Sequence, residues 1–243
     1  ATTEIYTLSL HDALPISAVN DNYTTPHNTP VVLNPLQGDT DPENDALSIT
    51  SINGVTLTPG TAQSIPVTNG VVTVAADGTI TFTPNTGFVG QVSFPYTISD
   101  GHGGTSQAIE TITITNTAPA AVNDNYTTPH NTPVVLNPLQ GDTDPENDAL
   151  SITSINGVTL TPGTAQSIPV TNGVVTVAAD GTITFTPNTG FVGQVSFPYT
   201  ISDGHGGTSQ AIETITITNT APELTSGSAR VSEEGLVGGL ADS

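Results

Sequence analysis

The sequence contains no cysteine, no methionine, no tryptophan and no lysine, and Arg230 is its single arginine. A chain without cysteine uses neither disulfides nor thiol chemistry, which is compatible with a secreted protein. Against one basic residue stand 22 acidic residues, for a formal net charge of −21. Nucleic-acid binding needs lysine and arginine to neutralise phosphates, so the composition excludes it. Binding to an anionic membrane surface is excluded for the same reason.

Long apolar runs are also absent, since no stretch approaches the ~20 residues of a membrane-spanning helix. No segment shows the apolar spacing of an amphipathic helix either. At the N-terminus, residues 6–16 read YTLSLHDALPI, which one reading frame of a common short-read sequencing adapter encodes. We therefore expect residues 1–17 to be a non-native leader, and we leave them out of the predictions of fold.

What the sequence does contain is an exact internal repeat, because residues 18–119 and 121–222 are identical at an offset of 103 positions. A module of roughly 100 residues is large enough to bury its own core. Residues 117–121 form a short linker that contains one proline, too short to let the modules move freely. Residues 223–243 do not repeat, and residues 231–236 indicate the truncated start of a different repeat.

Each module is built from short runs in which apolar and polar residues alternate, as they do in half-buried strands. Asn53-Gly54, Asn69-Gly70 and Asp77-Gly78 separate such runs and predict hairpins, because both residues of each pair tolerate a positive φ. Pro95 cannot donate to a sheet ladder, so residues 92–98 are predicted to lie at an edge or at a bulge. About seven strands at this spacing predict an all-β fold of tandem immunoglobulin-like β-sandwiches.

Each module also concentrates carboxylates in an acidic loop, residues 39–45 and their copy 142–148. Four of the seven residues in the first copy are acidic: Asp39, Asp41, Glu43 and Asp45. Ca²⁺ takes six to eight oxygen ligands, and oxygens at alternate positions of a turn converge. The alternative is a solvated acidic turn whose Asp side chains form Asx turns. We favour calcium, because Asp21-Asn22 at the module start and Asp100 in a late loop add further oxygens; these two groups are expected at opposite ends of a module.

Other polar residues offer little for catalysis. Residues 99–104 contain Ser, Asp and His, but they form a glycine-rich turn without a nucleophile elbow. His27 lies near prolines and is expected to be a surface loop residue. No acid, base and nucleophile are placed to converge, so we expect that the chain is not an enzyme.

Five motifs in fixed order resemble the cadherin-like, tandem-95 type repeats of giant bacterial surface proteins, which include RTX adhesins and biofilm-associated proteins. The motifs are residues 19–22, 34–47, 78–85, 87–90 and 94–101. The resemblance covers each module nearly end to end. The chain departs from the family at Gln91-Val92, where an acidic residue is common, so no ligand is carried over to that position.

The resemblance implies export by a type I secretion system to the bacterial cell surface, and cell adhesion as the setting. It implies a monomeric rod of calcium-rigidified modules that extends a distal adhesive domain, with the neighbouring repeats of the same chain and Ca²⁺ as its partners. The implied calcium ligands are Asp21, Asp39, Asp41, Glu43, Asp45 and Asp100, with Asp124, Asp142, Asp144, Glu146, Asp148 and Asp203 in the second module. Asn22 and its copy Asn125 are further candidates from the residues themselves.

A second hypothesis is a recognition module that binds a carbohydrate or another cell. Such a module would expose aromatic side chains for stacking. Each module has no tryptophan, two tyrosines and three phenylalanines, and most of these lie at positions phased with the core. We therefore favour the extender over direct recognition.

Overall fold

The computed structural model describes residues 15–220, which form two all-β modules without a helix in that range. Residues 15–220 accordingly include no helix with the length and apolarity that a membrane span requires. The strands of the first module are β1 (Asp21–Pro26), β2 (Val31–Leu33), β3 (Ser48–Ile52), β4 (Val55–Thr56), β5 (Gln63–Val67), β6 (Gly70–Val74), β7 (Ile80–Pro84), β8 (Gly90–Ser99) and β9 (Thr105–Thr115). Those of the second are β10 (Asp124–Pro129), β11 (Val134–Leu136), β12 (Ser151–Ile155), β13 (Val158–Thr159), β14 (Gln166–Val170), β15 (Gly173–Val177), β16 (Ile183–Pro187), β17 (Gly193–Ser202) and β18 (Thr208–Thr218).

Each module is a sandwich of two sheets. A five-stranded sheet has the order β1-β9-β8-β3-β4, and a four-stranded sheet has the order β2-β7-β6-β5. All neighbours are antiparallel except β1, which pairs in parallel with β9. The core lies between the sheets, where the alternate residues Val72, Phe82, Tyr96 and Ile112 are fully buried. The prediction of tandem immunoglobulin-like sandwiches is confirmed, with nine strands in each module instead of about seven.

The predicted hairpins form, and their turns use positive φ at four of the six indicated residues; Asp77 and Gly70 are the exceptions. Asn53 and Gly54 have φ values of 48° and 77°, and Asn69 has a φ of 57°. Gly70 differs, because it begins β6 without a positive φ and has another role. A Cβ at Gly70 would overlap the ring of Phe82 and lie 2.8 Å from the carbonyl oxygen of Thr83. Glycine at this position therefore serves core packing and not the turn.

The prediction that Pro95 places its strand at an edge is wrong, because β8 lies inside the sheet between β9 and β3. The β3–β8 pair does contain a register irregularity, but it lies opposite Thr97 and Ile98 and not at Pro95. The carbonyl oxygen of Pro95 accepts a hydrogen bond of 2.8 Å from the Asn53 N–H, just beyond the end of β3. The nitrogen of a strand residue faces the same side as its carbonyl. The nitrogen of Pro95 thus points to where β3 has ended, and no ladder bond is lost.

The exclusion of residues 1–17 is too broad at its C-terminal end. Ile16 is buried in the core of the first module, and Ser17 forms a bridge with Thr40 whose two N···O distances are 2.9 Å. Residues 15–17 therefore belong to the folded module. The remainder of the predicted leader and the predicted repeat start within residues 223–243 lie outside the described residues.

Candidate functional site

The two modules meet at a junction where the acidic end of the second module lies against the linker and one end of the first. Asn116, which lies between the end of β9 and the linker, donates a hydrogen bond of 2.7 Å to Oδ2 of Asp203. The neighbouring Thr117 hydroxyl donates to Oε1 of Glu146, also at 2.7 Å. Asn116 and the first linker residue, Thr117, therefore connect the acidic loop of residues 142–148 with the loop of residues 203–207.

Within these loops, one oxygen of each key aspartate organises its own turn. Oδ1 of Asp144 accepts hydrogen bonds from the backbone N–H groups of Glu146 at 2.9 Å and Asp148 at 3.1 Å. Oδ1 of Asp203 accepts from the N–H groups of His205 and Gly207 in the same way. The Asx turns of the solvated-turn alternative are thus present. They use one oxygen of each carboxylate; Oδ2 of Asp203 is taken by Asn116, whereas Oδ2 of Asp144 has no hydrogen-bond partner.

At the junction, residues of the second module are more buried than the residues at the same positions of the first module. Asp144 is 9% exposed, whereas its copy Asp41 in the first module is only half-buried. Asp203 is 3% exposed, and its copy Asp100 is again half-buried. Because the two modules have the same local sequence, the difference arises from the module that covers the junction.

Several oxygens at the junction are buried without a hydrogen-bond partner, namely Oδ2 of Asp144, Oε2 of Glu146 and Oδ1 of Asn116. Residues 15–220 contain no lysine or arginine that could neutralise these carboxylates. A buried charge is costly unless it is paired and hydrogen-bonded. Carboxylate and amide oxygens are ligands that suit a hard cation. The donor set at the junction therefore fits Ca²⁺.

His27 at the junction is not the surface residue that its sequence context predicted, since it is only 1% exposed. Its Nε2 lies 2.8 Å from Oδ2 of Asp148, and Nε2 of His205 lies 3.7 Å from the other oxygen of Asp148. Within residues 15–220, these three side chains are the one group of His or acidic residues whose ligand atoms all lie within 4.8 Å of one another. Two histidines and a carboxylate invite comparison with a zinc site.

The hydrogen bonds around His27 argue against a metal on its Nε2. The N–H of Gly87 donates to Oδ1 of Asn28 at 2.8 Å, which fixes the orientation of the Asn28 amide. Nδ2 of Asn28 then faces Nδ1 of His27 at 2.7 Å and donates to it. A neutral imidazole with an acceptor at Nδ1 carries its proton on Nε2. Nε2 of His27 therefore carries a proton and lies close to Asp148 of the second module across the junction, although neither Nε2 of His27 nor Oδ2 of Asp148 forms a well-aligned hydrogen bond.

Removal of the His27 side chain is expected to weaken the junction. His27→Ala removes the side chain nearest to the Asp148 carboxylate and leaves His205 at 3.7 Å as its other contact, at a cost of about 1–3 kcal/mol. We expect faster amide hydrogen exchange in residues 144–148 and a lower melting temperature. The matched control is His130→Ala, which changes the same residue at the half-buried copy. Equal losses in the two variants would show that the contact between the modules contributes nothing.

A second acidic site lies inside each module, and we call it the inner carboxyl cluster: Asp21, Asp39 and Glu110, with Asp124, Asp142 and Glu213 as the copy. Asp21 and Glu110 are direct Cα partners in the β1–β9 pair. Oδ1 of Asp39 accepts from the N–H of Val19 at 2.7 Å and lies 3.1 Å from the Tyr96 hydroxyl. This hydroxyl also lies 2.8 Å from the carbonyl oxygen of Val19.

Glu110 is the unusual member of this cluster, because its side chain is 0% exposed. Burial, together with smaller contributions from the charges of Asp21 and Asp39, raises the pKa of Glu110 to about 8. Burial and the charge of Asp39 also raise the pKa of Asp21. Sequence reasoning missed Glu110. The period-two pattern of β9 could have identified Glu110 as buried, because Glu110 lies on the same core-facing side of the strand as Ala108 and Ile112.

The structure divides the predicted calcium ligands into two groups. Asp144, Glu146, Asp148 and Asp203 lie at the junction, and Asp41, Glu43, Asp45 and Asp100 lie at the matching end of the first module. There, Nε2 of His102 lies 3.8 Å from Oδ1 of Asp45 and connects the two loops. Asp21, Asp39, Asp124 and Asp142 belong instead to the inner carboxyl clusters.

Two details of the predicted ligand set differ from expectation. Asp21 does not lie at the module end opposite Asp100, because it pairs with Glu110 in the middle of β9. Asn22 and Asn125 alternate with Asp21 and Asp124 along their strands and are exposed on the other face of the sheet. The alternation of a strand thus separates each asparagine from the carboxylate beside it.

A family model for the bacterial Ig domain matches residues 12–115 and again residues 116–218. The chain belongs to the bacterial Ig domain family. A comparison with the curated proteins finds no match. The two matches place one bacterial Ig domain on each sandwich, and their order in the chain is that of a tandem repeat.

Solved structures with cadherin and other repeats resemble this pair of bacterial Ig domains at low identity. The human mucin-like protocadherin EC1-2 is 14% identical with a TM-score of 0.32, and the match covers 84% of this chain and 98% of that one. Drosophila N-cadherin EC1-4 is 13% identical with a TM-score of 0.27, over 84% of this chain and 48% of that one. An endo-fucoidan hydrolase from glycoside hydrolase family 107 is 19% identical with a TM-score of 0.28, over 84% of this chain. This chain spans 28% of that hydrolase.

Membership of the bacterial Ig domain family indicates the general class of function. Bacterial Ig and cadherin-like domains are generally extracellular or surface-exposed, and their fold is a non-catalytic one. A fold does not by itself define a function. The tandem arrangement indicates repeats that extend a protein or take part in adhesion.

Proposed function

We propose that these modules are extender repeats of a large secreted bacterial surface adhesin, which hold a distal adhesive domain away from the cell. Identical modules suit a task in which only length and stiffness matter, since each sandwich adds a few nanometres. Export by a type I secretion system, kinship with RTX adhesins and a role in biofilms are parts of this proposal. They come from the motif resemblance.

The observation that carries the proposal is the buried acidic junction. Asp144 and Asp203 are covered there, and Oδ2 of Asp144 and Oε2 of Glu146 have no hydrogen-bond partner. A stiff rod requires a closed junction, but like charges brought together without counter-charge oppose closure. In the absence of lysine and arginine from residues 15–220, a cation from the medium is the natural counter-charge.

In this proposal, Asp144, Glu146, Asp148 and Asp203 would hold Ca²⁺, and the amide oxygen of Asn116 would contribute from the linker. The ion supplies positive charge that draws the acidic loop, the 203–207 loop and the linker together. Extracellular modules bind calcium with dissociation constants of about 10⁻⁴–10⁻³ M. The calcium of the external medium would therefore keep the rod stiff, and its removal would loosen the junction.

Calcium titration of the full chain tests this mechanism by scattering and by thermal unfolding. With calcium in excess over EDTA, we expect a larger maximum dimension and a higher melting temperature. Binding to the folded state at 100 times the dissociation constant adds about 2.7 kcal/mol. Asp144→Asn should abolish most of the calcium-induced extension, because it removes one ligand charge from the junction.

Asp41→Asn is the matched control, since it makes the same change in the same local sequence at the half-buried copy. It should leave the extension intact. Equal responses of the two variants, or a wild-type chain whose scattering ignores both calcium and EDTA, would refute the stiffened junction.

The recognition hypothesis receives less support. It requires exposed aromatic side chains, whereas Phe82, Phe94 and Tyr96 and their copies are buried in the core. A glycan-binding screen of the full chain is expected to give no specific ligand.

A further inference from the structure

We propose that each module contains its own cation site, separate from the junction, in which Glu110 joins Asp21 and Asp39 around one Ca²⁺. In the second module, Glu213 joins Asp124 and Asp142. The site does not rest on the extender function, because it lies within one module and needs no neighbour.

The first support is the state of the Glu110 carboxyl group. Both of its oxygens are buried and have no hydrogen-bond partner, and Oδ2 of Asp21 is in the same state. Most buried polar groups are hydrogen-bonded, and an exception requires a cause. The position lies between Ala108 and Ile112 on the core face of β9, where an apolar residue would normally stabilise the sandwich. A glutamate at this position is explained by a ligand for its oxygens.

The second support is the chemistry of the surrounding atoms. The carboxylates of Asp21 and Asp39 and the hydroxyl of Tyr96 interact electrostatically with Glu110, and the Tyr96 hydroxyl in turn lies 2.8 Å from the carbonyl oxygen of Val19. All are oxygen donors of the kind that Ca²⁺ prefers over nitrogen or sulfur ligands. Three carboxylates and a divalent cation leave one net negative charge, so the ion removes most of the repulsion.

The third support is a path from solvent. Asp39 lines an open recess of about 430 Å³ together with Asp41 and Asp45, and it also contacts Tyr96 inside the module. A metal site requires such an entry path. The three inner carboxylates are spaced more widely than the His27–Asp148–His205 group, so their side chains would close around an entering ion.

Terbium luminescence tests this site selectively. Tb³⁺ replaces Ca²⁺ in oxygen-ligand sites and emits strongly when a nearby aromatic ring transfers energy to it. The chain has no tryptophan. The tyrosines of residues 15–220 all lie within electrostatic reach of an inner carboxyl cluster: Tyr23 and Tyr96 in the first module, Tyr126 and Tyr199 in the second.

The wild-type chain should therefore show tyrosine-sensitised terbium emission that excess calcium removes. Glu110→Gln and Glu213→Gln should each lose about half of this emission, and the double variant about ten-fold, because a ligand charge is lost from each site. Asp144→Asn, which changes the junction alone, should retain it. If calcium did not stiffen the junction, the terbium emission would still be expected. The proposal for the junction and the proposal for the inner site can therefore be refuted independently.

A measurement on the wild-type chain tests the site even if the variants fail to fold. The N–H groups of Val19 and Val122 donate to Asp39 and Asp142 at 2.7 Å, so their amide resonances should shift on calcium titration of the wild-type chain. Absence of sensitised emission together with unmoved Val19 and Val122 resonances would overturn the proposal. Emission that survives in a folded double variant would do the same.

Discussion

In EDTA, each module is expected to lose stability as the pH rises from about 4.5 to about 8, the ordinary and the raised pKa of Glu110. Between these values, the folded state retains a proton on Glu110 that the unfolded state has released, so a rising pH favours unfolding. The stabilisation is fully present below the lower value and is lost through the upper one. At 1.36 kcal/mol per pKa unit, the loss is roughly 3–5 kcal/mol per module.

Urea unfolding at pH 5 and pH 8 in EDTA measures this loss. Glu110→Gln with Glu213→Gln should remove most of the difference, because glutamine has nearly the same shape and no ionisable group. Burial raises the pKa of Asp21 and Asp124 in the same direction, so a smaller dependence should remain. A wild-type chain that is more stable at pH 8 than at pH 5 would contradict the buried, proton-holding carboxyl.

The second large effect concerns the core. Phe82→Ala should destabilise the first module by about 3–5 kcal/mol, because it leaves a cavity where a large buried ring was. The Phe82 side chain is 0% exposed, and its ring centroid lies 6.3 Å from that of Phe94. Gly70 leaves room for the ring from the adjacent strand. Calorimetry should show the transition of one module shifted to lower temperature.

Two substitutions control this result. Phe185→Ala makes the same cavity in the second module and should shift the other transition by a similar amount. Val32→Ala removes a side chain that is 63% exposed and should change stability by less than about 0.5 kcal/mol. If Phe82→Ala shifted both transitions together, the two modules would unfold as one cooperative unit. This result would contradict the expectation that only the first module is destabilised.

Local chemistry predicted much of the fold. Asn53-Gly54 and Asp77-Gly78 predicted their hairpins, since the conformation of a tight turn depends on the residues within it. The segment DNYTTP has only one large apolar side chain, so its own sequence does not indicate a strand; it becomes β1 through its pairing with β9. Pro95 was misplaced because the tolerance of proline depends on where the neighbouring strand ends, which its own sequence does not specify.

The candidate sites were predictable only in part. The acidic loop and Asp100 were recognised as oxygen-rich, but their motif could not separate the residues of the inner cluster from those of the junction. Glu110 was missed, and it approaches Asp39 from 71 positions away in the sequence. Contacts of this separation depend on how the strands are ordered within the sheet.

By itself, the sequence determined the duplication of the module, the alternation that makes both copies β-sandwiches and the formal net charge of −21. Only the tertiary structure decided which carboxylates meet and which are buried. Asp41 and Asp144 have the same local sequence, yet Asp144 alone is covered at the junction. Burial depends on what the rest of the chain places above a residue, and two identical sequences cannot encode that difference locally.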